Sequence, residues 1–231
     1  MKTITDSDHD FVCDIQAPCF ASLSPEEVEL VKASRTQVIF RKGDNLTKQG
    51  AFASYILFIN DGLAKQYLEG DQAKSFNLRF IQAGDFVGLS SVFGQNIYNY
   101  SSVALTETRA FLIEKETIAK VVMQNGRFGF NIIKRYCEQN TNLFSSLNTV
   151  IYKQMNGRIA DALLYINSLK PVYPEIFQLL SRKEIAEFAG ISTESAIKLL
   201  KSFEKDGLIA LHDKDVSVLD AATLEEISKR G

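Results

Sequence analysis

The stretch Ser181–Gly207, SRKEIAEFAGISTESAIKLLKSFEKDG, decides how the rest of the chain is read. Ser181 and Glu184 stand at capping-box spacing, which predicts a helix over Arg182–Ala189. Ala186 is small where a second helix would cross, Gly190 permits a sharp turn, and Ala196 is apolar on the next segment; this is helix-turn-helix spacing. Ser192 caps the second helix, Thr193–Lys205, whose buried stripe is read as Ile197, Leu200 and either Phe203 or Leu199. Thr193, Glu194, Lys198, Lys201 and Lys205 are left on the outer face. Short polar and acidic side chains at an exposed helix start fit base edges in a major groove, and the lysines beyond them fit phosphates. Spacing alone also fits an ordinary helical hairpin with a solvated face. Between Ser181 and Lys205 five basic side chains face four acidic ones, so placement rather than bulk charge would have to make a basic surface. Downstream, Leu208–Leu211 and Val216–Leu219 flank the polar turn His212-Asp213-Lys214-Asp215, a strand pair placed like a wing, and Thr223–Lys229 reads as a short helix.

Working upstream, Arg158–Leu169 reads as a further helix after Gly157, closed off by Pro171 and Pro174. From Phe128 to Gln154 only Gly129 interrupts a helical pattern. Within it Ile133, Cys137, Asn140, Phe144, Leu147 and Ile151 follow one another at spacings of 4, 3, 4, 3 and 4, a heptad seam. Such a helix either pairs with another helix or packs on its own domain. Asn140 favours pairing, because one polar seam residue fixes register.

Between Thr36 and Glu114 the period shortens to that of strands: Val38 and Phe40 alternate with polar neighbours, and runs such as SYILFI, LAKQYL, KSFNLRFI and Ala110–Ile113 follow. Gly43, Gly50, Gly62, Gly70 and Gly84, each beside a polar residue, punctuate these runs as turns. Many short strands so divided imply an antiparallel barrel or sandwich-like roll. Before it, Ser24 caps a short helix with Pro25 at its first position and Glu26 and Glu27 in its first turn.

The chain has 231 residues, 45% of them hydrophobic, with 26 Lys+Arg against 28 Asp+Glu, which suits a globular protein and excludes disorder. No apolar run is long enough for a membrane span, and the acidic N-terminus lacks a signal core, so the expected compartment is the cytoplasm. Three cysteines argue against a disulfide scaffold. A net charge of −2 argues against nucleic-acid binding at first sight, and residues 152–231, with 11 Lys+Arg and 12 Asp+Glu, are no more basic. Charge governs nonspecific DNA affinity, so weak and salt-sensitive off-site binding is the expectation. No nucleophile–His–acid grouping, metal cluster or phosphate loop suggests an enzyme.

Six ordered motifs nevertheless resemble those of the Crp/Fnr family of bacterial transcription regulators: FRKGD from Phe40, KQG from Lys48, INDG from Ile59, GDFVG over Gly84–Gly88, GRIADAL from Gly157, and SRKEIA from Ser181 followed by STES from Ser192. The resemblance runs from about Cys19 to the C-terminus. It implies an α+β architecture: an antiparallel β-roll sensor (jelly-roll-like) over residues 1–126, a dimerisation helix over 127–154 and a winged helix-turn-helix over 155–231. It also implies a homodimer on a palindromic double-stranded DNA site, and RNA polymerase as a partner. In this family Ser181 and Arg182 match backbone contacts at the start of the first helix. Ser192 caps the second. Glu194 matches the acidic reader of a cytosine amino group, and Thr193 lies where some members carry a base-reading Arg. Lys198 replaces the usual guanine-reading Arg, losing its planar fork, and Lys201 matches a phosphate contact.

Cyclic-nucleotide-binding members carry a Gly-Glu-Leu…Arg-Ser/Thr-Ala cassette, its Arg on the phosphate and its Glu on the ribose. Here the aligned residues are Gly88-Leu89-Ser90 and Tyr100-Ser101-Ser102, so both charged groups are missing. Cyclic AMP is therefore not expected as effector, since a buried phosphate would lack its charge partner. Cys13 and Cys19 resemble remnants of the iron–sulfur branch's cysteines, but with Cys137 they make three where four ligands are needed. They could otherwise form a redox pair. His9 and His212 offer little for haem, and no cofactor or metal is expected. Leu89, Val92, Phe93, Tyr98, Tyr100 and Ser101 either line a pocket for an uncharged effector or are simply core. A second functional reading is an oligomerising sensor module with a vestigial DNA-binding domain.

Overall fold

The computed structural model describes residues 1–4, 20–71 and 74–231. Cys13, Cys19 and His9 lie outside the described residues. Packing divides the chain into two compact units, Met1–Asp71 with Arg79–Thr141, and Gln72–Leu78 with Asn142–Gly231.

In the first unit β1 (Lys2–Ile4), the helix α1 (Pro25–Ala33) and β2 (Arg35–Phe40) are followed by β3 (Asn45–Thr47), β4 (Tyr55–Asp61), β5 (Ala64–Glu69), the Arg79–Ile81 end of β6 (Ser75–Ile81) and β7 (Phe86–Val87). The short helix α2 (Ser90–Phe93), β8 (Ser101–Ala104), β9 (Thr108–Glu114) and the helix α3 (Lys115–Gln124) complete it. Two sheets form, in the orders β1-β2-β9-β4-β7 and β3-β8-β5-β6. Registered pairs such as β2 with β9 and β5 with β8 are antiparallel, as expected of a roll.

The apolar run of β4 is explained by burial on both faces. Ile56 and Phe58 join one core with Phe20, Phe86, Phe111, Ile118, Val121 and Phe128, whereas Leu57 and Ile59 join a second with Val38, Phe40, Leu46, Ile81 and Ala110. Phe20, Phe58, Phe86 and Phe128 contact one another at centroid separations of 5.1 to 5.7 Å, a range in which tilted and edge-on rings attract. Ser24 caps α1 with Pro25 in the first turn, as read from sequence, and the structure adds a full capping box with Glu27.

Sequence reading missed α3. It follows β9 directly and its N-cap, Glu114, makes no side-chain capping bond, so no start signal marks it. The long helix α4 spans Gly126–Tyr152, two residues earlier than expected at each end. Asn125 separates it from α3: its Oδ1 accepts from Phe128 N, while its Nδ2 donates to Ser22 O and Glu27 Oε2.

The second unit contains α5 (Met155–Asn167), α6 (Arg182–Ala189), α7 (Thr193–Lys205), β10 (Ile209–His212), β11 (Asp215–Val218) and α8 (Ala221–Arg230). Helix α5 begins before Gly157 rather than after it. Gly157 lies inside the helix, and glycine suits the position because a Cβ there would sit 3.0 Å from the Cα of Gly231. Asp220 caps α8, which starts two residues before the expected Thr223. Lys153, between α4 and α5, pairs with Asp161 at 2.7 Å and donates to Ser228 Oγ; Thr149 and Ser228 also donate to Asp161. This network joins the end of α4 to α5 and α8.

Candidate functional site

Helices α6 and α7 form the expected pair. Ser181 Oγ accepts from Glu184 N at 3.2 Å and the Glu184 carboxylate accepts from Ser181 N at 2.8 Å. Gly190 takes the left-handed conformation, φ 61°, and its N–H returns to Ala186 O. Ser192 Oγ then accepts from Ser195 N at 3.1 Å, starting α7. Ala186 and Ala196 are buried where the helices meet, with Leu200 and Phe203 continuing the inner stripe of α7.

The outer face of α7 carries Glu194, Lys198, Lys201 and Lys205, all exposed, with Thr193 half-buried beside them. Among the described residues Glu194, Lys198 and Lys201 have no ion-pair or hydrogen-bonded side-chain partner. One residue departs from the sequence reading: Ile197, assigned there to the buried stripe, is 38% exposed and lies on the outer side. Leu199, the alternative to Phe203, is half-buried.

Arg182 has a different environment from the residues of α7. Its Nη2 donates to the Asp213 carbonyl at 2.7 Å, while its Nη1 is buried with no hydrogen-bond partner among the described residues. Burial pulls its pKa below the ordinary arginine value, against the opposing pull of Asp213, Asp215 and Glu204. Asp213 adopts φ 52° in the two-residue turn between β10 and β11, where His212 pairs with Asp215. The wing turn is thus fastened to the start of α6, a contact across 31 positions that no local pattern signals.

Along α4 the seam residues lie open. Phe144 is 69% exposed, Ile151 64%, Ile133 57% and Leu147 45%. Cys137 is exposed and Asn140 half-buried. Phe130, three positions before Ile133 and also exposed, extends the seam by one step.

In the roll the cassette residues are bonded to one another and to their surroundings. The Tyr100 hydroxyl accepts from Gly88 N at 2.8 Å. Gly88 has φ 86°, and a Cβ there would lie 2.7 Å from Tyr98 Cε1, so only glycine fits beneath that ring. Leu89 and Ser102 are buried, and the Ser102 and Thr47 hydroxyls lie 2.7 Å apart. Ser101, also buried, donates to Glu69 Oε1 at 2.5 Å and accepts from Gln49 N at 2.9 Å. Lys48 grips the same carboxylate at 2.6 Å. The Lys48 bond, then that of Ser101, holds the Glu69 carboxyl below its ordinary pKa. Ser90 Oγ accepts from Asn99, and Phe93 is exposed rather than pocket-lining. Sequence reading did not find Glu69, because its partners are 21 and 32 residues away. Among the described residues no cluster of His, Cys, Asp and Glu could hold a metal ion, and no helix is long and apolar enough to cross a membrane.

Residues 37–125 match the family model of the cyclic nucleotide-binding domain, and residues 157–227 that of the Crp-like helix-turn-helix domain. The chain belongs to the Crp/Fnr family. It is a transcription regulator with a helix-turn-helix DNA-binding domain. Among curated Crp/Fnr relatives, the cyclic AMP receptor protein of Thermus thermophilus is 23% identical over 92% of this chain and 97% of its own length. The anaerobic regulatory protein of Bacillus subtilis is 22% identical over 85% of each. A solved Crp/Fnr-family chain from Eubacterium rectale superposes with a TM-score of 0.77 at 15% identity, covering 92% of this chain and 98% of that one, and shares its fold.

Proposed function

We propose that this regulator reads a palindromic DNA site as a homodimer and that its roll does not take cyclic AMP. The observation that carries the DNA reading is the outer face of α7, where exposed Glu194, Lys198 and Lys201 have no partner within the described residues. A carboxylate at the start of a helix accepts from a cytosine amino group, and Lys198 one turn later donates to guanine; Lys201 reaches phosphate. Thr193 and Ser192 flank the same groove edge. Ser181 contacts the DNA backbone at the start of α6. Arg182 brings the wing turn to that end of the helix.

The exposed α4 seam from Ile133 to Ile151 pairs with its copy. Residues 1–126 then act as sensor, 127–154 as dimerisation helix and 155–231 as DNA-binding domain, and a two-fold dimer places its half-sites about one helical turn of DNA apart. RNA polymerase is the protein partner of such a regulator. The chain works by binding and not by catalysis.

Against cyclic AMP stand three features of the cassette. The Gly88 N–H is already bonded to Tyr100, Leu89 offers no ribose contact, and the Ser101 hydroxyl holds a carboxylate where a phosphate would bring a second negative charge. An effector, if one acts here, is uncharged or weakly polar, and it would shift the population of dimers whose spacing fits DNA.

The test is selection of bound sites from randomised DNA with the full-length protein, followed by Glu194→Ala. A palindromic site should be enriched, and Glu194→Ala should cost about tenfold in affinity and relax preference at one base pair per half-site. Absence of an enriched site, or an unchanged preference, would support instead a sensor module with a vestigial DNA-binding domain.

A further inference from the structure

We propose that Ile197 is a specificity-determining residue that reads a thymine methyl group in the major groove, an inference that rests on the DNA reading of α7. Ile197 follows Glu194 by three residues and precedes Lys201 by four, so the three share one face of the helix. On a wheel of 3.6 residues per turn it lies about 60° from Glu194, inside the arc that Glu194, Lys198 and Lys201 define with Thr193. Its 38% exposure makes it the one large aliphatic side chain in an otherwise polar arc. The opposite side of α7 is fixed by buried Ala196, Leu200 and Phe203, so the helix cannot roll to bury Ile197 without exposing these three.

Any approach that brings Glu194 and Lys198 to base edges also brings Ile197 to the groove floor. There the C5 methyl of thymine is the one apolar group on any base edge, and a methyl–aliphatic contact is how such a side chain reads sequence. A β-branched residue in a helix has essentially one χ1 rotamer, so little side-chain freedom is lost when it docks. Ile197 would supply discrimination at a base pair that neither Glu194 nor Lys198 reads. It would do so without adding positive charge, which suits a domain whose acidic and basic residues nearly balance.

The experiment is a uracil scan. On the site selected by the full-length wild-type protein, each thymine is replaced in turn by deoxyuridine, which removes the methyl group and leaves the hydrogen-bonding edge intact. Binding is measured for wild type, Ile197→Val and Ile197→Ala. One thymine per half-site should show a loss of about 4-fold for wild type, the size expected of one methyl group taken out of water. Ile197→Val should keep that loss, and Ile197→Ala should bind the thymine and uracil sites equally. If a site is enriched but the scan is the same for wild type and Ile197→Ala, or shows no sensitive thymine, the proposal on Ile197 fails while the DNA reading stands. If no site is enriched, both fail. The side chain is exposed and the variants are small, so unchanged thermal melting should accompany every outcome.

Discussion

On α7 the side chains of Glu194, Lys198 and Lys201 are exposed with no partner among the described residues, whereas in the roll Tyr100, Ser101 and Ser102 each hold another group of the same chain. The two regions use similar chemistry, hydroxyls and charges at helix or strand starts, to opposite ends. An unpaired polar side chain on the surface costs nothing while water solvates it and becomes available when a partner arrives. A buried hydroxyl left without a partner would cost about 1–3 kcal/mol, so the roll has used its polar groups to satisfy itself. The α4 seam belongs with α7: its Phe and Ile side chains are apolar surface that the described residues leave uncovered.

The largest effect should come from charging that seam. In a Phe144→Glu, Leu147→Glu double variant the dimer should dissociate in sedimentation, and affinity for a two-half-site DNA should fall by more than about 100-fold as the second half-site's contribution is lost. Unchanged mass and affinity would move the seam residues to the self-satisfied class. The Glu194→Ala loss, about tenfold, comes next. Tyr100→Phe acts on the other region. It leaves the Gly88 N–H without its acceptor, so stability by denaturant unfolding should fall by about 1–2 kcal/mol with DNA affinity unchanged. The last effect appears only in alkali. Burial, with a smaller push from Tyr100, raises the Tyr98 pKa from 10.0 to about 12. Its contribution is therefore whole below pH 10 and is lost as pH rises toward 12, because the unfolded chain ionises first. Tyr98→Phe should flatten the fall in stability over that window; an unchanged slope would place the phenol in water.

What the sequence disclosed depended on range. The capping box of Ser181 and Glu184, the left-handed Gly190 and the Ser192 cap all act within four residues, and each was legible as a pattern. The seam was legible for the same reason, as a repeat along one helix. Helix α3 carried no cap and was missed. Ile197 was misplaced because apolar spacing shows that a residue can be buried, not that the neighbouring helix reaches it. The Glu69–Ser101–Lys48 cluster and the Arg182 tie to the wing join strands or elements far apart in the chain, so no single-segment reading could contain them.

The contrast between groups left open and groups already paired is tested most directly by one titration. A labelled palindromic site selected by the protein is titrated with full-length protein, and the anisotropy curve is recorded with and without millimolar cyclic AMP. The account predicts two superimposed curves that saturate at two chains per site. A shift of tenfold or more toward tighter binding with cyclic AMP would contradict it, since the cassette would then be taking a ligand against which Tyr100, Leu89 and Glu69 stand.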